Sequence, residues 1–215
     1  MAPILLLLSS VAAFAQPVEY RIIGGGENRI ALEVEKTGLM SGKRHLFLFS
    51  RYQGKLTLDP QAPQNARVEL TIESASIECK DTWLSAKDFK KVQAYAEADM
   101  LAVKQFPEIR FSSARVAHQA GNKYQVEGTL VIKGIGKPVI LDVTLDPKAV
   151  VIEGKSVFRM TSYGLKPPSA ALGLIGTKDE MTVTFSVRGV VYSRTANGAA
   201  ASNFTPLTAR LAVAL

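Results

Sequence analysis

Imidazole, thiol and paired acid–base side chains are what this sequence could do chemistry with, and they are sparse: two histidines, His45 and His118, and one cysteine, Cys79. His45 is followed by Leu46-Phe47, with no second ligand at metal-binding spacing. His118 falls close to the Gly121-Asn122 turn signal, and Cys79 has no paired spacing with either histidine, so no metal site is spelled out. Proton-transfer chemistry would need a convergent pair, His45 with Glu73 or Asp81, which defines one reading: a lipid or ester hydrolase or isomerase. No G-x-S-x-G elbow, H-E-x-x-H, C-x-x-C or phosphate-cradling motif accompanies it. Gly24-Gly25-Gly26 lacks the dinucleotide-binding pattern. The Lys178-Asp179-Glu180 group reads as a strand-entry turn with local charge pairing. The expectation is therefore a protein without catalytic residues, metal or cofactor, in which His45 hydrogen-bonds either a ligand headgroup or its own scaffold. The lone Cys79 excludes an intramolecular disulfide and reads as a small buried hydrophobe.

The elements that must position these groups are mostly strands. From Phe106 to Leu145 apolar residues recur at every second position: Tyr124, Val126, Leu130 and Ile132 share one face, and Val139, Leu141, Val143 and Leu145 share the next. The same alternation runs through Ile30, Leu32 and Val34, through His45 to Phe49, through Leu56 and Leu58, and through Val68, Leu70 and Ile72. Val157 to Tyr163 reads as a further strand, and Met181, Val183, Phe185 and Val187 alternate in the last long one. One helix is expected between the two halves, N-capped by Ser85, with Phe89, Val92, Ala96 and Met100 on its apolar stripe and Lys90, Lys91, Gln93 and Glu97 toward water. The fold class is all-β: antiparallel strands joined by short turns, which roll into a sandwich or a barrel, with the helix on a barrel wall or over one mouth.

The first fifteen residues read as a secretory signal peptide. Ile4 to Leu8 begins an apolar run that continues to Phe14, and Ala13-Phe14-Ala15 places small residues at a cleavage site. Cleavage near Ala15 leaves about 200 residues, a size that one β-domain occupies, exported to a periplasm or secreted. The formal charge of +7, from 26 basic and 19 acidic side chains, is dispersed. It fits a solvated surface capable of transient membrane contact. No nucleic-acid partner is expected, because Lys87, Lys90 and Lys91, the one dense basic cluster, lack an aromatic platform at matching spacing and the chain reads as exported. A dimer is compatible with the sequence. Residues 190–215 read as a tail, with an Ala-rich linker and an Asn203-Phe204-Thr205 glycosylation pattern.

The motifs in the middle of the chain resemble those of the YceI-like family of lipocalin-like, polyisoprenoid-binding proteins. The resemblance rests on Met100-Leu101-Ala102-Val103, Phe106-Pro107-Glu108-Ile109-Arg110-Phe111, Tyr124-Gln125-Val126-Glu127-Gly128-Thr129-Leu130 and Gly134-Ile135-Gly136-Lys137-Pro138-Val139. It also rests on Lys36-Thr37-Gly38-Leu39 before His45, Tyr163-Gly164-Leu165-Lys166-Pro167, and Gly176-Thr177-Lys178-Asp179-Glu180. It spans Tyr20 to Val187, placing the barrel within residues 16–189. Alternation alone favours a packed core, and with it an envelope interaction module. The resemblance instead implies a lipocalin-like antiparallel β-barrel of about eight strands whose apolar interior carries a long-chain isoprenoid or fatty-acid-like lipid. On that reading Phe47, Phe49, Leu70, Ile72, Phe111 and Tyr124 are wall candidates, as are Val126, Leu141, Val143, Phe158, Met160, Val183 and Phe185. Trp83, Phe89 and Met100 would close one end, and His45 would meet the headgroup.

Overall fold

A computed structural model describes residues 17–192. The expected signal peptide through Ala15 and the tail from Ser193, with its Asn203 pattern, lie outside the described residues. The strands are β1 (Val18–Ile23), β2 (Arg29–Gly38), β3 (Arg44–Phe49), β4 (Tyr52–Leu58), β5 (Arg67–Glu73), β6 (Ile77–Cys79), β7 (Glu108–Ala120), β8 (Lys123–Ile132), β9 (Ile135–Asp146), β10 (Val151–Arg159), β11 (Ser169–Ala170), β12 (Ile175–Arg188) and β13 (Val190–Val191). All pair antiparallel.

Apart from β11, which pairs with β12 alone, these segments form eight continuous tracks. Four tracks are bent and split: β1 with β2, β3 with β4, β5 with β6, and β12 with β13. The other four, β7 to β10, are unbroken. The registers show the splits to be kinks, because Ile23 faces Gln53 on β4 while Ile30, beyond the bend, faces Phe49 on β3. At this bend a Cβ on Gly24 would lie 2.7 Å from the Ser50 carbonyl oxygen and 2.9 Å from the Tyr52 nitrogen, so two bent backbones nest only around glycine. Each track pairs with its neighbour in sequence. The last track closes the ring: β12 is bonded to β10 on one edge and to β2 on the other, and β13 reaches β1. Closure removes the unpaired sheet edge that an open array would expose. Val190 and Val191 thus belong to the barrel, which runs past Gly189 into the segment expected as tail.

The predicted meander is β7 to β9. The strand expected at Val157 to Tyr163 is displaced: it is β10, ending at Arg159, after which Met160–Tyr163 tightens into a 3-10 turn that Gly164 ends with φ 68°. The helix α1 (Ala86–Tyr95) forms in the long connection between β6 and β7 and continues through a wider turn to Met100. Ser85 Oγ accepts from Asp88 N at 3.1 Å and donates to the Asp88 carboxylate at 2.7 Å, satisfying one of the otherwise unpaired amides of the first turn. Gln93, expected to face water, does the opposite. Its carboxamide accepts from Cys79 N at 2.7 Å and donates to Ile77 O at 2.8 Å, pairing with the free edge of β6 as another strand would.

Gly128 sits on the inward face of β8, where a Cβ would lie 2.5 Å from Ser112 O and 2.6 Å from the Phe111 ring. Because a backbone carbonyl cannot give way as a side-chain tip can, Gly128→Ala should destabilise the barrel by about 1–3 kcal/mol, read as a lowered urea midpoint.

Candidate functional site

The inward rows of the eight tracks do not meet across the centre. They enclose two apolar chambers, about 150 and 430 Å³. The smaller, inner chamber lies at the end where β4, β7 and β9 finish and is lined by Leu58, Pro63, Ala66, Val116, Tyr124 and Leu145, among others. The larger mouth chamber lies under α1, between Val92, Tyr95, Ala96 and Met100 on the helix and the far ends of β2, β3 and β8. Ile30, Ile72, Ile109, Leu130 and Phe158 line both and form the waist between them. Leu32, Leu70, Leu130, Phe158, Val183 and Phe185 point inward yet are only partly buried, so protein atoms do not cover their apolar surface. That uncovered surface is the property a hydrocarbon chain would use.

The structure gathers most of the expected wall residues around this space. Phe47, Phe49, Met160 and Val183 face the mouth chamber, as do Met100 and His45. Leu70, Phe111, Tyr124, Val126, Leu141, Val143 and Phe185 face the inner one, while Ile72 and Phe158 face both. Trp83 and Phe89 are corrections, since neither lines a chamber. Trp83 lies in the connection ahead of α1, its Nε1 donating to Arg44 O at 3.0 Å and its ring 5.3 Å from that of His45. Phe89, one turn before Val92 on the helix, packs against the core cluster instead. Helical spacing identifies the stripe but not which of its turns overhangs the opening. The waist residues Ile30, Ile109 and Leu130 and the mouth residues Lys36 and Thr177 were not among the expected lining. Alternation continued from Ile30 through Leu32 and Val34 reaches Lys36 on the same face.

Polar groups inside are few. In the inner chamber the Ser156 hydroxyl is taken up by Ile140 O at 2.7 Å. At the mouth, His45 Nδ1 lies 2.5 Å from Asp81 Oδ2, and Leu46 N donates to Asp81 Oδ1 at 2.8 Å, so both oxygens of this buried carboxylate are engaged. Glu73, the other acid considered for His45, instead pairs with Arg51 at 2.6 Å on the exterior. The His45–Asp81 pair has the form of a base with its orienting carboxylate, but among the described residues no hydroxyl is hydrogen-bonded to the imidazole. Neither is there a cluster of three or more His, Cys, Asp and Glu side chains able to hold a metal among them. His118 Nε2 bonds Gly121 O at 2.8 Å across its turn. Lys178, Asp179 and Glu180 lie inside β12, at the register irregularity between Thr177 and Met181, and not in a strand-entry turn; Lys178 pairs with Glu35, while Asp179 accepts from Thr161 N and Oγ1 at 2.9 and 2.7 Å.

Comparison with known proteins matches residues 27–189 to the YceI-like domain, which covers most of the chain. A UPF0312 protein of Photorhabdus laumondii is 34% identical over 101 residues, 45% of this chain and 46% of that protein; the aligned part thus spans less than half of that relative. Among solved structures, BcnA of Burkholderia cenocepacia superposes with a TM-score of 0.60 at 19% identity, over 76% of this chain and 97% of its own. A polyisoprenoid binding domain from Saccharophagus degradans superposes with a TM-score of 0.51 at 11% identity, over 80% and 98%. At these identities the two structures share the fold.

Burial, the largest cause, pushes the Cys79 thiol up to about 11; a hydrogen bond with the Asp81 backbone opposes the shift and the Asp81 carboxylate adds to it. The thiolate is the reactive form, so at pH 8 the native protein should react with a thiol reagent about 100-fold more slowly than the urea-unfolded chain. Because the folded pKa is raised, the stability this thiol contributes is present below pH 9 and is lost as pH climbs toward 11. Equal native and unfolded labelling rates would contradict this placement of Cys79.

Proposed function

Because the chain belongs to the YceI-like family, we propose that it is an exported carrier that sequesters an extended long-chain lipid, isoprenoid or fatty-acid-like, in its barrel and performs no covalent chemistry on it. The observation that carries this reading is the two-chamber interior, whose apolar side chains are left uncovered by the protein itself. A hydrocarbon chain entering it would gain roughly 0.8 kcal/mol per buried methylene before ordering costs, enough for many weak contacts to hold a flexible tail. The polyisoprenoid binding domain from Saccharophagus degradans, with the same fold, supports the ligand class. The apolar leader ending in Ala13-Phe14-Ala15 supports export with cleavage near Ala15.

A carrier must also meet the membrane that supplies its cargo, and features of the mouth support that contact. The hairpin leaving the chamber at Pro168 and Ser169 exposes Leu172 and Leu174, and Leu39 of the adjoining turn is tied to it by Leu39 N donating to Leu174 O at 3.0 Å. Ala171 and Leu172 hold φ values of 51° and 54°, costly for residues with a Cβ, while Leu172 gains no burial in return. Lys43, Arg44, Lys166 and Lys178 lie in or next to these turns, a composition suited to anionic headgroups.

Organic extraction of the purified protein, followed by mass spectrometry, should release a long-chain lipid in near-stoichiometric amount. Phe158→Asp at the waist should weaken capture at least tenfold, while Lys90→Ala on the outer helix face should change it less than twofold; equal effects would reject the tunnel. Leu172→Asp combined with Leu174→Asp should slow lipid uptake from anionic vesicles without changing the affinity for dispersed lipid. Unchanged uptake would remove the membrane-contact part of the reading.

A further inference from the structure

We infer that the mouth chamber selects single-chain amphiphiles with an anionic head, a carboxylate or a phosphate, which the ammonium group of Lys36 holds at the entrance. The inference rests on the tunnel reading and adds to it a head-group chemistry and a direction of entry.

The row Ile30, Leu32, Val34, Lys36 is one face of β2, and all four line the mouth chamber. Lys36 stands opposite Thr177 of β12 at the rim, and its backbone is fixed by Lys36 N donating to Lys43 O at 2.9 Å. A long cationic side chain at the end of an apolar row is oriented by that alternation and cannot swing to the outer surface without breaking register. Its charge is poorly compensated. The other basic side chains of the lining have partners: Lys91 reaches Asp88 at 3.5 Å and His45 is bonded to Asp81. Among the described residues Lys36 has no hydrogen-bond or ion-pair partner for its ammonium. Asp81 acts on it only through space, since Leu46 N and His45 already occupy both carboxylate oxygens. Burial accordingly pulls Lys36 below the usual lysine range, with Asp81 opposing in part. An anion set against this ammonium would supply the missing partner in a site drier than the open surface, where charge-assisted bonds are strongest. A neutral alcohol could accept one hydrogen bond there but would not offset the charge. With the head at Lys36, the tail runs inward past Phe47, Phe49 and the waist to Phe111 and Tyr124, and only this orientation matches a charged rim to an apolar interior.

The test uses delipidated protein and three probes with one tail: dodecanoate, dodecyl phosphate and dodecan-1-ol, titrated by calorimetry. Native protein should bind at least one of the two anions about tenfold or more tightly than the alcohol, and comparison of the anions shows which head the rim prefers. In Lys36→Met, which keeps the length of the side chain and removes the charge, the anion-to-alcohol affinity ratio should fall toward one, while Lys36→Arg should retain it. Equal binding of all three probes by the native protein, or a ratio unchanged in Lys36→Met, overturns the inference while leaving the tunnel standing. Failure of every probe to bind sinks the tunnel reading itself.

Discussion

Everything in this molecule depends on the last strand track bonding back to the first. With β12 paired to β10 and β2, and β13 paired to β1, each of the eight tracks has a hydrogen-bonded neighbour on both sides, and the wall holds its shape through its own backbone. A β-sandwich or helical bundle gains cohesion by pressing opposed apolar faces together, and a void of several hundred cubic ångströms between them would collapse. A closed ring of ladders resists that collapse, so its interior side chains can stop short of one another. The hollow is thus a consequence of closure. The apolar surface that inward Leu, Val and Phe side chains leave uncovered by other protein atoms is what a hydrocarbon guest would bury.

The two ends of the barrel are built differently, and the difference gives the cavity a polarity. At the inner end the tracks are joined by short connections, and the 3-10 turn Pro63–Asn65 puts Pro63 and its follower Ala66 against the chamber. At the other end the chain makes its one long excursion, and α1 lies across the opening with no residue fully buried until Ala96. A helix so lightly packed needs another anchor, and Gln93 provides one by bonding to both Ile77 and Cys79 on β6. All the titratable lining groups other than Tyr124 cluster at this helical end: Lys36, His45, Lys91 and Tyr95.

Faces were legible in the sequence because a strand has a period of two. Tyr124 and Val126, Leu141 and Val143, Val183 and Phe185 were all assignable to one wall, and all of them line the interior. Periodicity carries no information about distance across a barrel, so alternation alone favoured the packed core that an apolar stripe forms by default, and only the resemblance reversed that order. Track continuity was also hidden: the kinks at Gly24, at Ser50-Arg51 and at Ser74–Ser76 interrupt alternation, so long bent strands read as short separate ones. Trp83 and Phe89 were misplaced for a related reason, because an aromatic near a helix is apolar wherever it packs. Gln93 was given to water on composition, yet a carboxamide at the right turn of a helix can complete a sheet edge, which depends on tertiary geometry alone.

The His45–Asp81 pair shows why a chemically suggestive contact does not by itself make a reaction. A general base needs a proton to take from a nucleophile within reach, and the imidazole here is flanked by Trp83 at 5.3 Å and Phe47 at 6.1 Å, between ring centres. Asp81 is spent on two bonds to the β3 segment, one to the His45 ring and one to the Leu46 amide, which ties the connection after β6 to the strand beside it. The pair therefore has a sufficient structural role: it fixes the rim where β3 begins, β6 ends and the connection to α1 starts. That rim is also where, among the described residues, Lys36 lacks a partner, so a pair that holds the entrance rigid leaves beside it the charge least satisfied among them. A binding site needs such an imbalance, because groups already saturated by the fold gain little from a ligand, whereas a rigid mouth with one unsatisfied cation above an uncovered apolar wall gains at both ends of an amphiphile.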